Sequence, residues 1–324
     1  MKKIVLSFVF FWLVAGVVGG YGVYYYSAPG TLVQKTNVFI RKGMRSQETA
    51  HALAEAGVIR FPQAFYAIHV ATGQSKKFKA GEYAFPPGIS PKEVAEKLVS
   101  GDVVVHKITI PEGWSMREIR AAILLETLLE GDITRPMPEG SVLPETYHYV
   151  YGDTRDEVVV RMQLAMRKAL EHAWENRAEG LLLASKEEAL VLASIVEKET
   201  GVADERPRVA AVFVNRLKRG MRLQTDPSVV YGIEQKLGDA MNRPLTRADL
   251  EAPTPYNTYV IPGLPPTPIA NPGIGAIEAA LHPLASDELY FVAIGDGSGG
   301  HRFSKTLDEH NKNVAAYRAA LKNK

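Results

Sequence analysis

The sequence predicts an α+β protein built of a single N-terminal transmembrane helix, a small α/β module and a larger mixed α+β domain. Three observations carry that prediction: one long uncharged apolar run at the start, short β-rich runs that alternate with helical spacing, and a later helix that is apolar on every face. The whole chain has 324 residues, 46% hydrophobic and 23% charged, with a formal net charge of +2. That length suits more than one domain, each with its own core. The near-neutral charge and the lack of a basic block argue against nucleic acid as a partner. The absence of cysteine excludes disulfides, thiolate chemistry and thiolate-bound zinc.

After Met1-Lys2-Lys3 no charged residue occurs until Lys35, and Ile4 to Val23 is interrupted only by Ser7. About 20 apolar residues match the thickness of a bilayer core, and a signal peptide's apolar region is usually shorter. The lysines place the N-terminus inside, and Tyr24-Tyr25-Tyr26 suits the far interface. The expected division is a cytoplasmic stub at 1–3 and a single-pass anchor at 4–26. The body then lies outside the cytoplasm, in the periplasm or extracytoplasmic space, and a cleaved signal peptide would place it there too.

Residues 36 to about 125 contain a unit used three times. Val38-Phe39-Ile40 leads to Gly43, Tyr83-Ala84-Phe85 to Gly88, and Ile108-Thr109-Ile110 to Gly113. A glutamate follows each glycine by five positions (Glu48, Glu93, Glu118) and an aliphatic residue by ten (Leu53, Leu98, Ile123). Each unit reads as strand, turn and helix. Capping boxes at Ser90–Glu93 and Ser115–Glu118 mark helix starts. The first unit, with Ala54 to Ile59, resembles a LysM-type module, a small fold that binds the N-acetylglucosamine backbone of wall polymers. A packing module without glycan affinity is the alternative. The LysM-like subdomain is expected over 36–105.

Further capping boxes at Thr154–Glu157 and Ser185–Glu188 open two more helices. The second continues Ala189 to Val196, apolar apart from Ser194, and then reaches Glu197-Lys198-Glu199-Thr200-Gly201. A helix without a polar face is buried on all sides. Glu197 is the first ionisable group after that run, so desolvation and the negative helix end both raise its pKa. A carboxylic acid kept protonated near neutral pH is what glycosidic cleavage needs. Glu197 and Glu199 point to nearly opposite faces, so only one can face a given cleft. Downstream, Gln224, Thr225, Asp226, Tyr231, Asn257, Thr258 and Tyr259 lie in Gly/Pro-punctuated segments. Amides and hydroxyls there suit sugar hydroxyl and acetamido groups, and aromatic faces suit pyranose rings. His282, His301 and His310 are separated by 18 and 8 residues, which matches no usual zinc spacing, and no metal or other cofactor is expected.

Taken together, these segments resemble the endolytic murein transglycosylase family, the YceG-like proteins. The motifs are Leu192-Ala193-Ser194-Ile195-Val196-Glu197-Lys198-Glu199-Thr200, Asn215-Arg216-Leu217, Leu223-Gln224-Thr225-Asp226-Pro227 and Tyr256-Asn257-Thr258-Tyr259 with Gly263-Leu264-Pro265-Pro266. Ala280-Leu281-His282-Pro283, Leu289 to Ala293, and Gly299-Gly300-His301-Arg302-Phe303 with His310-Asn311 follow in order. Glu139 to Tyr147 also looks like a family segment, with Glu145 where aspartate is expected. The resemblance implies a YceG-like catalytic domain over 106–324. It also implies a lyase that cleaves the MurNAc–GlcNAc bond of nascent strands without water and leaves a 1,6-anhydromuramyl end. Glu197 is then the catalytic acid and base. Gln224, Thr225, Asp226, Tyr231, Asn257, Thr258, Tyr259, Glu145 and Tyr147 become candidates for binding the sugars. The resemblance further implies peptidoglycan strands as substrate, peptidoglycan synthases of the penicillin-binding class as partners, and a role in ending strand elongation. Two rivals remain: a muramidase-type hydrolase with Asp226 or Glu145 as second carboxylate, and a non-catalytic glycan-binding scaffold.

Overall fold

The computed structural model of the protein describes residues 2–322. Met1 of the predicted 1–3 stub and the last two residues of the predicted 106–324 domain lie outside the described residues. The elements form a mixed α+β protein preceded by an apolar helix, α1 (Lys2–Ser27). Its Val9–Ser27 portion is long and apolar enough to cross a membrane. Phe10, Phe11, Leu13 and Val17 all project outward from it.

The chain divides into two compact units. The first comprises residues 1–107, 127–130 and 148–154; the second comprises 108–126, 131–147 and 155–324. In the first unit, β1 (Thr36–Ile40) is followed by α2 (Ser46–Glu55) and α3 (Pro62–Ala71), and β2 (Gly81–Phe85) by α4 (Pro91–Ser100). Strands β1 and β2 pair antiparallel, from Thr36↔Phe85 to Ile40↔Gly81. Leu53, Phe65, Tyr83, Phe85 and Leu98 close the core beneath them and are essentially inaccessible. Each such side chain contributes about 1.5–3 kcal/mol through burial. The capping box expected at Ser90 is formed: its hydroxyl accepts from the Glu93 amide at 3.3 Å, and Glu93 Oε2 accepts from the Ser90 amide at 2.8 Å.

The third copy of the repeated unit is β3 (Val105–Thr109) followed by α5 (Met116–Leu125), capped by Ser115 and Glu118 as expected. Gly43, Gly88 and Gly113 all have φ between 70° and 80°, the left-handed conformation that explains a glycine in each turn. Strand β3 pairs with β4 (Thr146–Val150), and the division between the units falls within both strands.

The second unit continues through α6 (Arg155–Glu175) and α7 (Lys186–Glu199) to α8 (Arg206–Lys218), then α9 (Asp226–Leu237), α10 (Arg247–Glu251) and α11 (Ile274–Leu281). It ends with the antiparallel hairpin β5 (Tyr290–Ala293) and β6 (His301–Ser304), covered by α12 (Leu307–Lys322). Helix α7 is buried continuously from Val191 to Val196, packed by α6, α8, α9 and α11. Ala276, Ala279 and Ala280 let α11 lie close against it. Its one buried hydroxyl, Ser194, donates to the Val191 carbonyl at 2.7 Å and accepts from the Ile269 amide at 3.0 Å, so it leaves no orphan in the core. The start of α7 differs from the expected box. Ser185 caps the Glu188 amide, but the Glu188 carboxylate accepts from the Ala184 amide instead of Ser185.

Candidate active site

Helix α7 ends at Glu199 with Thr200 as its cap, and Glu197 and Glu199 diverge to different surroundings. Glu197 packs against the third repeat turn: a Cβ added to Gly113 would meet Glu197 Cγ at 3.5 Å. Its side chain is only 6% exposed and both oxygens are engaged. Oε1 accepts from the Arg206 guanidinium at 3.2 Å, and Oε2 accepts from the Gly273 amide at 3.0 Å. Arg206 also donates to Glu112 at 2.9 Å. Burial pushes the Glu197 carboxyl up, against the pull of the Gly273 amide and Arg206 in the other direction. The first glutamate thus ties together the starts of α5, α8 and α11.

Glu199 instead opens on a cavity of about 480 Å³, shared with Gln224, Asp226, Tyr259, Tyr290 and His310. It accepts a hydrogen bond from the Thr225 hydroxyl. Burial raises its pKa above the ordinary carboxylate value, and the nearby charge of Asp226 adds to that shift, while the Thr225 bond opposes it. The Tyr259 hydroxyl donates to Asp226 Oδ1 at 2.6 Å. Asp226 sits on the first turn of α9, presented by the loop from Leu223 to Thr225.

That loop is held from behind by residues that the sequence marked as sugar-binding candidates. Thr258 is fully buried; its carbonyl accepts from the Gln224 amide at 3.2 Å and its hydroxyl from the Thr225 amide at 3.0 Å. Asn257 is equally buried and donates to the carbonyls of Asp249, Leu250 and Ala252. Thr225 is 1% exposed. In this conformation Thr225 and Thr258 build the loop, Asn257 ties its own segment to the end of α10, and none of the three lines the cavity. Tyr147 is buried and donates to the Leu143 carbonyl at 2.6 Å; Glu145 is exposed at the edge of β4, where its carbonyl accepts from the Ile110 amide. Tyr231 packs edge-on against Tyr256.

Gln224, at φ 52°, is the only non-glycine residue with positive φ among the described residues. Such a backbone stores about 1–2 kcal/mol and persists where the surroundings impose it. Gln224→Gly is expected to leave the melting temperature unchanged or slightly higher, since strain relief is offset by chain entropy. Activity should fall about tenfold, the scale of one lost hydrogen bond to substrate. A melting temperature that drops with activity would make Gln224 a framework residue.

Several contributors were not among the sugar-binding or catalytic candidates of the sequence. Arg216, 8% exposed, donates to the carbonyls of Leu223 and Leu289 at 2.7 Å, anchoring the loop and the hairpin. Glu139 is half-buried beside Asn271 and Tyr231, and its carboxyl is pushed up to about 7 by desolvation. The three histidines are apart in role. His282 Nε2 lies 2.8 Å from the Asn176 carbonyl, His301 pairs with Glu205 at 2.8 Å, and His310 stacks on Tyr290.

With this geometry, residues 38–316 match the YceG-like family. The endolytic murein transglycosylase of Bacillus subtilis (strain 168) is 32% identical over 313 residues, covering 87% of this chain and 84% of that protein. The protein of the same name from Streptococcus pneumoniae (strain D39) is 28% identical over 367 residues, covering 98% of this chain; the chain spans 65% of that relative's length. A crystal structure of a yceG-like protein from Listeria monocytogenes superposes with a TM-score of 0.50 at 31% identity, covering 86% of this chain and 99% of that one.

Proposed function

The chain belongs to the YceG-like family, and we propose that it is an endolytic peptidoglycan lytic transglycosylase in which Glu199 is the acid–base catalyst. The observation that carries the assignment is a protonatable carboxyl opening on a cavity lined by Gln224, Asp226 and Tyr259. Glu197, expected to fill that role, has both oxygens engaged by Arg206 and Gly273 and suits a positioning role better.

Glu199 gives its proton to the glycosidic oxygen between MurNAc and GlcNAc as that bond breaks. The resulting carboxylate then takes the proton of the muramyl 6-hydroxyl, whose oxygen closes on C1 to give the 1,6-anhydro end. The nucleophile belongs to the substrate, so one carboxylate suffices and intramolecular attack gains from proximity. Gln224 and Tyr259 would orient the sugars, and the Asp226 carboxylate would face the positive charge that develops at C1.

A second reading rests on a specific feature: Asp226 lines the same cavity, and a retaining or inverting muramidase needs a second carboxylate. Mass spectrometry of digested glycan strands separates the two. Anhydromuramyl ends are expected; reducing ends would make the protein a hydrolase. Release of no fragments would leave only a glycan-binding scaffold.

Further parts of the reading follow from α1 and the first unit. The helix would anchor the protein in the cytoplasmic membrane with its N-terminus inside and the catalytic unit outside, close to nascent strands. The β1–α2 turn, with Arg41, Lys42, Glu48 and His51 around an open concavity, would be the glycan-facing part of a LysM-like module. Peptidoglycan synthases of the penicillin-binding class are the partners this placement suits.

A further inference from the structure

Asp226 lines not one cavity but two. The second, about 520 Å³, lies between the third repeat turn and α9 and excludes Glu199. Lys198, the residue between the two glutamates of α7, borders it, and its ammonium donates to the Gly113 carbonyl at 3.2 Å. Pro227, Val230 and Leu245 supply apolar surface.

Its charge pattern is unlike that of the first cavity. Arg117, Lys198 and Arg243 contribute cations, and Glu118, Asp226 and Glu234 contribute carboxylates. Some are committed: Glu118 closes the Ser115 cap, and Arg243 forks onto Asp249. Arg117 is held more loosely: its side chain is 42% exposed and makes two long ion pairs, 3.9 Å to Glu234 and 3.7 Å to Asp239, without a hydrogen bond, and Glu234 keeps one oxygen on the Met241 amide at 2.9 Å. A neutral pyranose chain is read by amides, hydroxyls and aromatic faces, and offers such a set no charge to pair. A peptide with both carboxylates and a free amine offers charges of both signs.

We propose that this second cavity is a subsite for the peptide stem carried by a muramyl residue, with Arg117 and Lys198 receiving its carboxylates and Glu234 its amine. The inference rests on the transglycosylase reading. A strand cut internally continues on both sides of the broken bond, and Asp226 is common to both cavities. The lactyl substituent of a muramyl unit bound near Glu199 is therefore carried toward Arg117, and the protein reads the peptide as well as the glycan.

The full-length protein in detergent micelles tests this on two substrates: uncrosslinked strands with intact stem peptides, and the same strands denuded by an amidase. The peptide-bearing strands should show about tenfold higher kcat/KM, mainly through KM, and raised salt should shrink that ratio. Arg117→Ala should bring the ratio down to about twofold, Arg117→Glu should lower it further, and Arg117→Lys should largely restore it. Equal rates on both substrates for the wild type, or variants that slow both alike, would overturn the subsite. Cleavage of neither substrate would overturn the transglycosylase reading itself, and the subsite with it.

Discussion

Glu199→Gln is expected to slow release of anhydromuropeptides by about a thousandfold, the scale of a lost general acid–base group. Glutamine keeps the shape of the side chain and an oxygen for the Thr225 hydroxyl, so the loop from Leu223 to Asp226 should hold and the melting temperature should barely move. Glu197→Gln should slow the reaction far less. It removes one of the two carboxylates around Arg206 but leaves Glu112 and the Gly273 contact. Burial holds the Glu197 pKa up despite Arg206 and Gly273, so a neutral amide should leave the melting temperature at neutral pH unchanged or slightly higher, while the rate should fall about tenfold through displacement of α7. Rates and melting temperatures measured on both variants decide the matter. If Glu197→Gln were inactive but stable and Glu199→Gln active, the catalytic role would return to Glu197.

The pH profile follows from the same group. Burial raises the Glu199 pKa, and bond cleavage needs its protonated form. The rate should therefore fall on the alkaline side as pH climbs through that raised value. Because Asp226 contributes to the shift, Asp226→Asn should move the alkaline limb to lower pH, where a purely structural substitution would leave its position unchanged.

How much of this was legible in the sequence depended on the range of the interactions involved. The buried helix α7, its stop after Glu199 and the three glycine turns are local patterns, written in periodicity, capping residues and positive φ. The choice between Glu197 and Glu199 was not local. Helical geometry separates their faces by about 200°, but which face meets a cavity depends on distant residues. Gly273 and Arg206 close over one glutamate, while the other, bonded to Thr225 and near Asp226, lines a cavity. Asn257 and Thr258 show a second limit. An amide or hydroxyl in an irregular segment has the same sequence signature whether it binds a ligand or holds its own loop. Here three carbonyls saturate the Asn257 amide, and Ser228 and Thr225 occupy the Thr258 hydroxyl.

Glu139→Gln should make the protein more stable at pH 8 and leave it nearly unchanged near pH 4. In the fold, Glu139 accepts from the Met116 amide and from the Asn271 side chain, each at 2.8 Å, with Tyr231 in reach. Desolvation still dominates and carries its pKa from 4.5 to about 7. The folded state therefore holds an extra proton between those two values. The stabilising contribution is full below about pH 4.5 and is lost as pH rises through about 7, up to about 3 kcal/mol less some relief from partial exposure. Glutamine is neutral throughout and keeps an acceptor for both donors, so it escapes that loss. Denaturant unfolding at the two pH values checks the sign. A gap between wild type and variant that is the same at both would mean that Glu139 ionises as an exposed carboxyl does. The consequence reaches the site because Asn271 also accepts from the Gly113 amide at 3.0 Å through its carbonyl. The proton on Glu139 thus sits one residue from the turn against which Glu197 packs.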